Sequence, residues 1–98
     1  MGVGRAHELG LVNAVTPAGA CLDGALKLAE RIVVNAPLAV REAKKCMDEM
    51  VFMSDKEAFE RSGQAMVSLS RTPDYREGPL AFIEKRAPRW TGKKQSKL

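Results

Sequence analysis

The chain has 98 residues, of which 45% are hydrophobic and 29% are charged, as is typical of a small globular protein with at most one domain. It has no apolar run of about eighteen residues and no apolar segment near its start, so we expect neither a membrane span nor a secretory signal. The net charge of +4 comes from the tail, because residues 85–98 carry six basic residues and no acid, whereas residues 1–84 carry ten basic and twelve acidic residues. We divide the chain into a helical domain, 1–92, and a basic tail, 93–98.

The first half predicts one strand and two helices. Residues 11–15 form a short apolar run between Gly10 and Thr16-Pro17, which indicates a brief strand with no partner of its own. Apolar residues at helical spacing predict a helix over 19–35 and a second over 37–51, separated at Pro37 because the residue before a proline avoids the helical region.

The second half predicts two more helices, each with a clear start. Ser54 and Glu57 match a capping box that opens a helix over 55–70. Thr72 and Pro73 indicate the start of a fourth helix, which we expect to be interrupted at Gly78-Pro79 because Pro79 lacks an N–H. The fold class is therefore mainly α, with about four helices and one short N-terminal strand.

Several side chains have a structural interpretation that is simpler than a chemical one. Cys21 and Cys46 lack metal-ligand spacing and are predicted to be buried free thiols, and His7 has no partner for a metal site. The acids Asp74 and Glu77 are explained by favourable interaction with a helix dipole. Four methionines at helical spacing are predicted to fill a core, with an adaptable partner surface as the alternative: Met47, Met50, Met53 and Met66.

The end of the last helix holds the candidate ligand contacts. Phe82 and Lys85 are three residues apart and would share a helix face, so a ring and an ammonium group could meet a base and a phosphate. A core Phe beside a solvated Lys is the simpler alternative. No residue of the chain is predicted to be catalytic.

Three segments of the chain match sequence motifs of one protein family. Residues 81–92 follow the pattern A-F-x-E-K-R-x-P-x-[FW]-x-G, which resembles the C-terminus of that family. Residues 9–15 resemble its G-L-V-N-x-V strand, and residues 29–40 resemble its A-x-x-I-x-x-x-x-P-x-A-V segment. In these motifs the chain resembles the enoyl-CoA hydratase/isomerase (crotonase) family across about residues 6–92. The resemblance covers nearly all of this chain but only about the last third of a complete family member.

The resemblance implies a C-terminal helical part of a crotonase-type fold that works in oligomer formation and at the CoA end of the substrate. In the family this part builds a trimer interface, so the expected partners are further copies or full-length family members. It implies that Phe82 and Lys85 contact acyl-CoA, the substrate, with no tightly bound cofactor and no metal, and that Trp90 is a packing or docking residue. The family's oxyanion hole and acid/base residues lie upstream, so we expect no activity from this segment alone. Hydratase is favoured over isomerase, although the deciding carboxylates lie upstream as well.

The tail supports two further expectations. Ser96, Lys97 and Leu98 match the peroxisomal import address S-K-L, which predicts a peroxisomal matrix protein if the source is eukaryotic and a cytoplasmic one otherwise. The alternative function is a small helical interaction module whose basic tail binds nucleic acid, which would show as salt-sensitive binding through several basic residues.

Overall fold

The computed structural model describes residues 1–94, which form five helices and no strand. The mainly α prediction is therefore confirmed. In chain order the helices are α1 (Val3–Glu8), α2 (Cys21–Val33), α3 (Pro37–Met50), α4 (Asp55–Ser70) and α5 (Pro73–Ile83). The chain divides into two compact units, Met1–Ile32 and Val33–Leu98, and each is described separately.

The predicted strand over 11–15 is wrong. These residues form bends and irregular chain, because an extended segment needs a neighbouring strand to pair its backbone groups and residues 1–94 provide none. α1 was not predicted from the sequence, and it is a single short helix with an exposed ion pair between Arg5 and Glu8 at 3.0 Å. Gly10 follows α1 with a φ of 74°, and the N–H of Leu11 donates to the carbonyl of Ala6.

In the first unit, α2 has an apolar face that the described part of the chain leaves largely exposed. None of its residues is buried. The exposed fraction is 70% for Leu22, near the start of the helix, and 73% for Val33, at its end. Gly24 lies against the preceding loop, where a Cβ would come within 2.7 Å of the Thr16 Cγ2 atom. The glycine that weakens α2 as an isolated helix thus permits a close approach of the loop.

The second unit is organised around the packing of α3 on α4, with α5 against α4. Among residues 33–94 only four apolar residues are buried, and two of them are alanines: Leu38, Cys46, Ala65 and Ala81. Arg61 of α4 joins the two helices, since its guanidinium donates to Glu42 at 2.8 Å and to Glu49 at 2.5 Å. The capping box of Ser54 and Glu57 is confirmed, and it begins α4 with both reciprocal hydrogen bonds.

Two further expectations need correction. The predicted interruption of the fourth helix at Gly78-Pro79 is wrong, since α5 continues through Pro79. The proline removes only one backbone hydrogen bond from the helix, because it has no N–H to donate. Only Cys46 is a buried thiol, whereas Cys21 is free and exposed at the start of α2. Met47 and Met66 are also exposed, so these two methionines do not fill a core.

Candidate functional site

The segment that follows α5 folds back along that helix and is held by specific hydrogen bonds. We call residues 86–92 the strap. Its first anchor is Asp74 in the first turn of α5, which is 4% exposed. The Asp74 carboxylate accepts from the N–H of Thr91 at 2.7 Å, from the Thr91 hydroxyl at 2.9 Å and from the N–H of Gly92 at 2.8 Å. Burial acts to raise the pKa of Asp74, but the hydrogen bonds from Thr91 and Gly92 outweigh it, so the pKa is lowered.

The second anchor is Glu77, one turn further along α5. Arg86 donates two hydrogen bonds to its carboxylate, at 2.5 and 3.1 Å, and the N–H of Arg89 donates a third at 2.8 Å. The hydrogen bonds from Arg86, followed by that from Arg89, lower the pKa of Glu77 from 4.5 to about 2. Arg86 also binds Glu84, which fixes the turn between α5 and the strap.

Trp90 is the third anchor and is half-buried within the second unit. Its indole N–H donates to the carbonyl of Val34 at 2.8 Å. A Cβ at Gly78 would lie 3.4 Å from the Trp90 ring, an ordinary van der Waals contact, so the indole lies directly against α5 at this point. The strap ends at Gly92, whose φ of 62° and close approach to Pro37 both suit a residue without a side chain.

The strap explains why the acids of α5 are where they are. The sequence analysis assigned Asp74 and Glu77 to the helix dipole, but the structure shows that both accept hydrogen bonds from the strap. The only signal in the sequence was two acids one turn apart in a helix followed by a basic segment. That signal is also produced by any well-capped helix, so the sequence could not separate the two roles.

Phe82 and Lys85 both lie at the C-terminal end of α5 and are exposed to solvent. Phe82 is 85% exposed, and Lys85 lies beyond the C-cap residue Glu84. Phe82 and Lys85 do not share a helix face, contrary to the prediction, because Lys85 lies beyond the end of α5 with a φ of 53°. The N–H of Arg86 donates to the carbonyl of Ala81 at 3.0 Å and that of Lys85 to Phe82 at 3.2 Å, which is the Schellman pattern.

Within residues 1–94 no three His, Cys, Asp or Glu residues are placed to hold a metal ion. His7 is exposed. No helix among the described residues has both the length and the apolar character needed to cross a bilayer. The predicted import signal at Ser96, Lys97 and Leu98 lies outside the described residues.

Comparison with known proteins identifies the family. The model of the enoyl-CoA hydratase/isomerase family matches residues 1–93. The chain is 42% identical over 84 residues to enoyl-CoA hydratase EchA19 of Mycobacterium tuberculosis, covering 86% of this chain and 32% of that protein. It is 38% identical over 97 residues to carnitinyl-CoA dehydratase of Escherichia coli, covering 95% of this chain and 37% of that protein.

Solved structures give the same result for the fold. An enoyl-CoA hydratase from Mycobacterium tuberculosis superposes with a TM-score of 0.87 at 43% identity, over 92% of this chain and 36% of that one. Enoyl-CoA hydratase EchA1 from Mycobacterium marinum gives a TM-score of 0.89 at 41% identity, over 95% and 38%. The chain spans about a third of the length of these relatives. The chain thus shares its fold with a part of these solved enoyl-CoA hydratases, and it belongs to the enoyl-CoA hydratase/isomerase family.

Proposed function

We propose that the chain is the C-terminal oligomerisation and CoA-end segment of an enoyl-CoA hydratase-like protein of fatty-acid β-oxidation. The observation that carries this proposal is the amount of apolar side chain that the helices leave in solvent. Leu22 and Leu26, one turn apart on α2, are both exposed, as are Phe52 and Phe59 near the start of α4. Apolar surface on this scale is typical of a protein interface.

The proposed occupants of that surface are the remaining part of a full-length family member and neighbouring copies in a trimer-type oligomer. Supporting this is the small set of buried residues, since four apolar side chains among residues 1–94 give little hydrophobic stabilisation. Helices that are stable in an intact protein but poorly covered by their own chain need apolar contacts from elsewhere. Oligomer contacts and contacts with an upstream catalytic part both supply them.

The proposed ligand contact is at the end of α5, where Phe82 would meet the adenine of CoA and Lys85 a phosphate. Support comes from the exposure of the Phe82 ring and from the Schellman turn, which fixes the backbone that carries Lys85. An exposed aromatic ring gives a base a stacking surface, and an ammonium group interacts with phosphate as a point charge.

The experiment is a CoA titration of an intact family member that carries this segment. Replacing the residue that corresponds to Lys85 with alanine should weaken CoA binding about tenfold, because a charge-assisted contact to phosphate is lost. The matched control is the equivalent of Lys56→Ala, which removes an exposed lysine from α4, away from the end of α5. Unchanged CoA affinity in the Lys85 variant would contradict the proposed contact between Lys85 and CoA, but it would not affect the family assignment.

The reaction we assign to the complete protein is hydration of a 2-enoyl-CoA rather than isomerisation of a double bond. The segment itself is proposed to be non-catalytic, because the family's oxyanion hole and acid/base residues are expected from upstream sequence. Adding the purified 98-residue chain to crotonyl-CoA should give no hydration above the buffer rate, as measured by loss of the enoyl absorbance. Turnover that scales with the concentration of this chain would contradict the proposal.

We also propose import into the peroxisomal matrix if the source is eukaryotic, and a cytoplasmic location otherwise. The support is the sequence match at Ser96, Lys97 and Leu98 alone. A fluorescent protein ended by residues 93–98 should colocalise with a peroxisomal marker in eukaryotic cells, and removal of Leu98 should disperse it. A diffuse signal from the intact tail would rule the address out.

A further inference from the structure

A cleft at the start of α5 is lined by four basic side chains and no acid. Its volume is about 830 Å³, and its lining residues are Ser70, Arg71, Thr72, Pro73, Arg76, Lys93 and Lys94. Arg76 lies one helical turn after Pro73, so its side chain shares the face that begins α5. None of the four cations forms an ion pair within residues 1–94.

A second cleft of about 670 Å³ adjoins the first and extends the cationic surface onto α3. The two share Arg71, Thr72 and Lys94, and the second adds Arg41 and Lys45. Its one carboxylate belongs to Glu42, which is already paired with Arg61 at 2.8 Å. Six basic residues therefore surround the two clefts with no free acid among their lining residues: Arg41, Lys45, Arg71, Arg76, Lys93 and Lys94. Of these six, Lys45 is paired with Glu49 at 4.0 Å, and the other five have no ion pair within residues 1–94.

The strap holds two of these cations in place. Asp74 fixes the backbone of Thr91 and Gly92, and the N–H of Lys93 donates to the Thr91 hydroxyl at 3.2 Å. Lys93 and Lys94 therefore follow directly from an anchored segment. The sequence showed these lysines only as part of a basic tail, whereas the structure places them with Arg71 and Arg76 from the body of the chain.

The hydroxyl groups of the first cleft are committed to the protein backbone. The Ser70 hydroxyl donates to the carbonyl of Val67 at 2.8 Å, and the Thr72 hydroxyl donates to that of Leu69 at 2.7 Å. Recognition in this cleft therefore depends on the arginine and lysine side chains. Arginine presents paired N–H groups that match phosphate oxygens, and lysine adds charge.

We infer that these two clefts form a binding site for a small molecule carrying a diphosphate group. Several unpaired cations around one opening repel one another, and an anion with more than one charge relieves that repulsion better than a single phosphate. Clefts of this size exceed what one inorganic phosphate would fill and lie in the range of small-molecule sites. The inference does not rest on the proposed function, because the CoA contact assigned above lies at the other end of α5, roughly 15 Å away along eleven residues.

The experiment is a titration of the full 98-residue chain with sodium pyrophosphate at near-physiological salt, followed by amide chemical shifts. Shifts should cluster at Arg71, Thr72, Arg76 and Lys93. The double variant Arg71→Gln, Arg76→Gln should bind at least about tenfold more weakly, because the fork-like donors to phosphate are gone. The matched control, Lys27→Gln with Lys56→Gln, loses the same net charge outside the clefts and should change the affinity less than about twofold.

Further titrations distinguish this site from the proposed CoA contact and from nonspecific binding of anions. Lys85→Ala should leave pyrophosphate binding unchanged, so failure of the CoA contact and failure of this site are distinguishable. Repeating the titration with CoA tells whether its diphosphate reaches the same residues or whether the site prefers a free diphosphate, and either result supports the site. An equal loss in both double variants, no clustered shifts, or tighter binding of a single-stranded oligonucleotide with shifts spread beyond the clefts would overturn the inference.

Discussion

Lys85 has a backbone conformation that glycine usually provides at the end of a helix. Its φ of 53° lies in the left-handed region, where the Cβ of an ordinary residue crowds the backbone. Gly10 occupies the equivalent position after α1 with a φ of 74° and the same pair of hydrogen bonds. The two helix ends differ mainly in the residue that occupies this position, which makes them a matched pair.

Lys85→Gly should stabilise the chain by up to about 1 kcal/mol, because relief of the left-handed strain exceeds the extra unfolded-state entropy of glycine. Lys85→Ala keeps the strain and should change the free energy of unfolding by less than about 0.5 kcal/mol. Urea denaturation measures both. Gly10→Ala, where no atom lies within 4 Å of an added Cβ, should have the opposite sign to Lys85→Gly. Destabilisation by Lys85→Gly would show that the lysine side chain itself holds the turn.

The Glu77 anchor predicts how the strap responds to acid. The pKa of Glu77 is 4.5 in ordinary surroundings and about 2 when it binds Arg86 and Arg89. Because the folded state has the lower pKa, its stabilising effect is complete above pH 4.5 and is lost as the pH falls toward about 2. Emission of Trp90, the only tryptophan, should therefore shift within that window. In Glu77→Gln this part of the acid transition should be absent, and an unchanged acid profile in that variant would contradict the assignment.

At the scale of single residues, positions at the helix end were predictable from the sequence, whereas the hydrogen-bond partners of the buried Asp74 were not. Phe82 and Lys85 were singled out, and both are in solvent at one helix end. The partners of Asp74 lie seventeen and eighteen residues away in a segment with no regular structure, so no periodic pattern could reveal them. The cationic clefts were missed for the same reason, since Arg71 and Lys93 meet only after the strap folds back.

At the scale of elements, the four longer helices among residues 1–94 were predicted from the sequence, and the short α1 was not. The helix over 55–70 begins at a capping box, and α4 spans Asp55–Ser70. Residues 11–15 have the composition of a strand but no strand to pair with among residues 1–94. The preceding helix α1 is six residues long and begins without a side-chain cap, so the sequence carries no clear signal for it. Strand formation depends on neighbours that a short sequence does not contain, whereas a helix satisfies most of its backbone groups by itself.

Asp74 tests whether the strap is an element of its own. Asp74→Asn should lower the free energy of unfolding by about 2 kcal/mol, because a buried charged acceptor of three hydrogen bonds is replaced by a neutral amide that also needs acceptors. Urea denaturation followed by Trp90 emission measures this. Asp55→Asn, in the first turn of α4, removes only a dipole interaction and should cost less than about 0.5 kcal/mol. Equal effects of the two changes would restore the dipole explanation for Asp74.

At the scale of the whole molecule, exposed apolar surface determines how the chain behaves in solution. Leu22 and Leu26 are in adjacent turns of α2, both exposed, and belong to a helix in which no residue is buried. A surface of this kind favours association over the monomer. The same surface explains why the sequence looked like that of an ordinary globular domain: the apolar content is normal, but the described chain does not bury it.

Replacing Leu22 and Leu26 with glutamine should shift the chain toward monomer without lowering its helix content, because glutamine suits exposed helix positions. Light scattering over a concentration series measures the association, and far-ultraviolet circular dichroism measures the helix content. Leu38→Gln is the control, since Leu38 is buried and its replacement should cost more than about 2 kcal/mol of stability. A parent chain that stays monomeric at every concentration would contradict an interface role for α2.

The hydrogen bond from Trp90 to Val34 joins residues that are 56 apart in the chain. Helices form from local contacts within about a microsecond, whereas a contact this distant must wait until the intervening segment has become compact. Refolding of the second unit should therefore occur in a defined order, with helix formation first and strap closure last. Until the strap closes, Lys93 and Lys94 are away from Arg71, so an anion that needs all three would select chains that have completed folding.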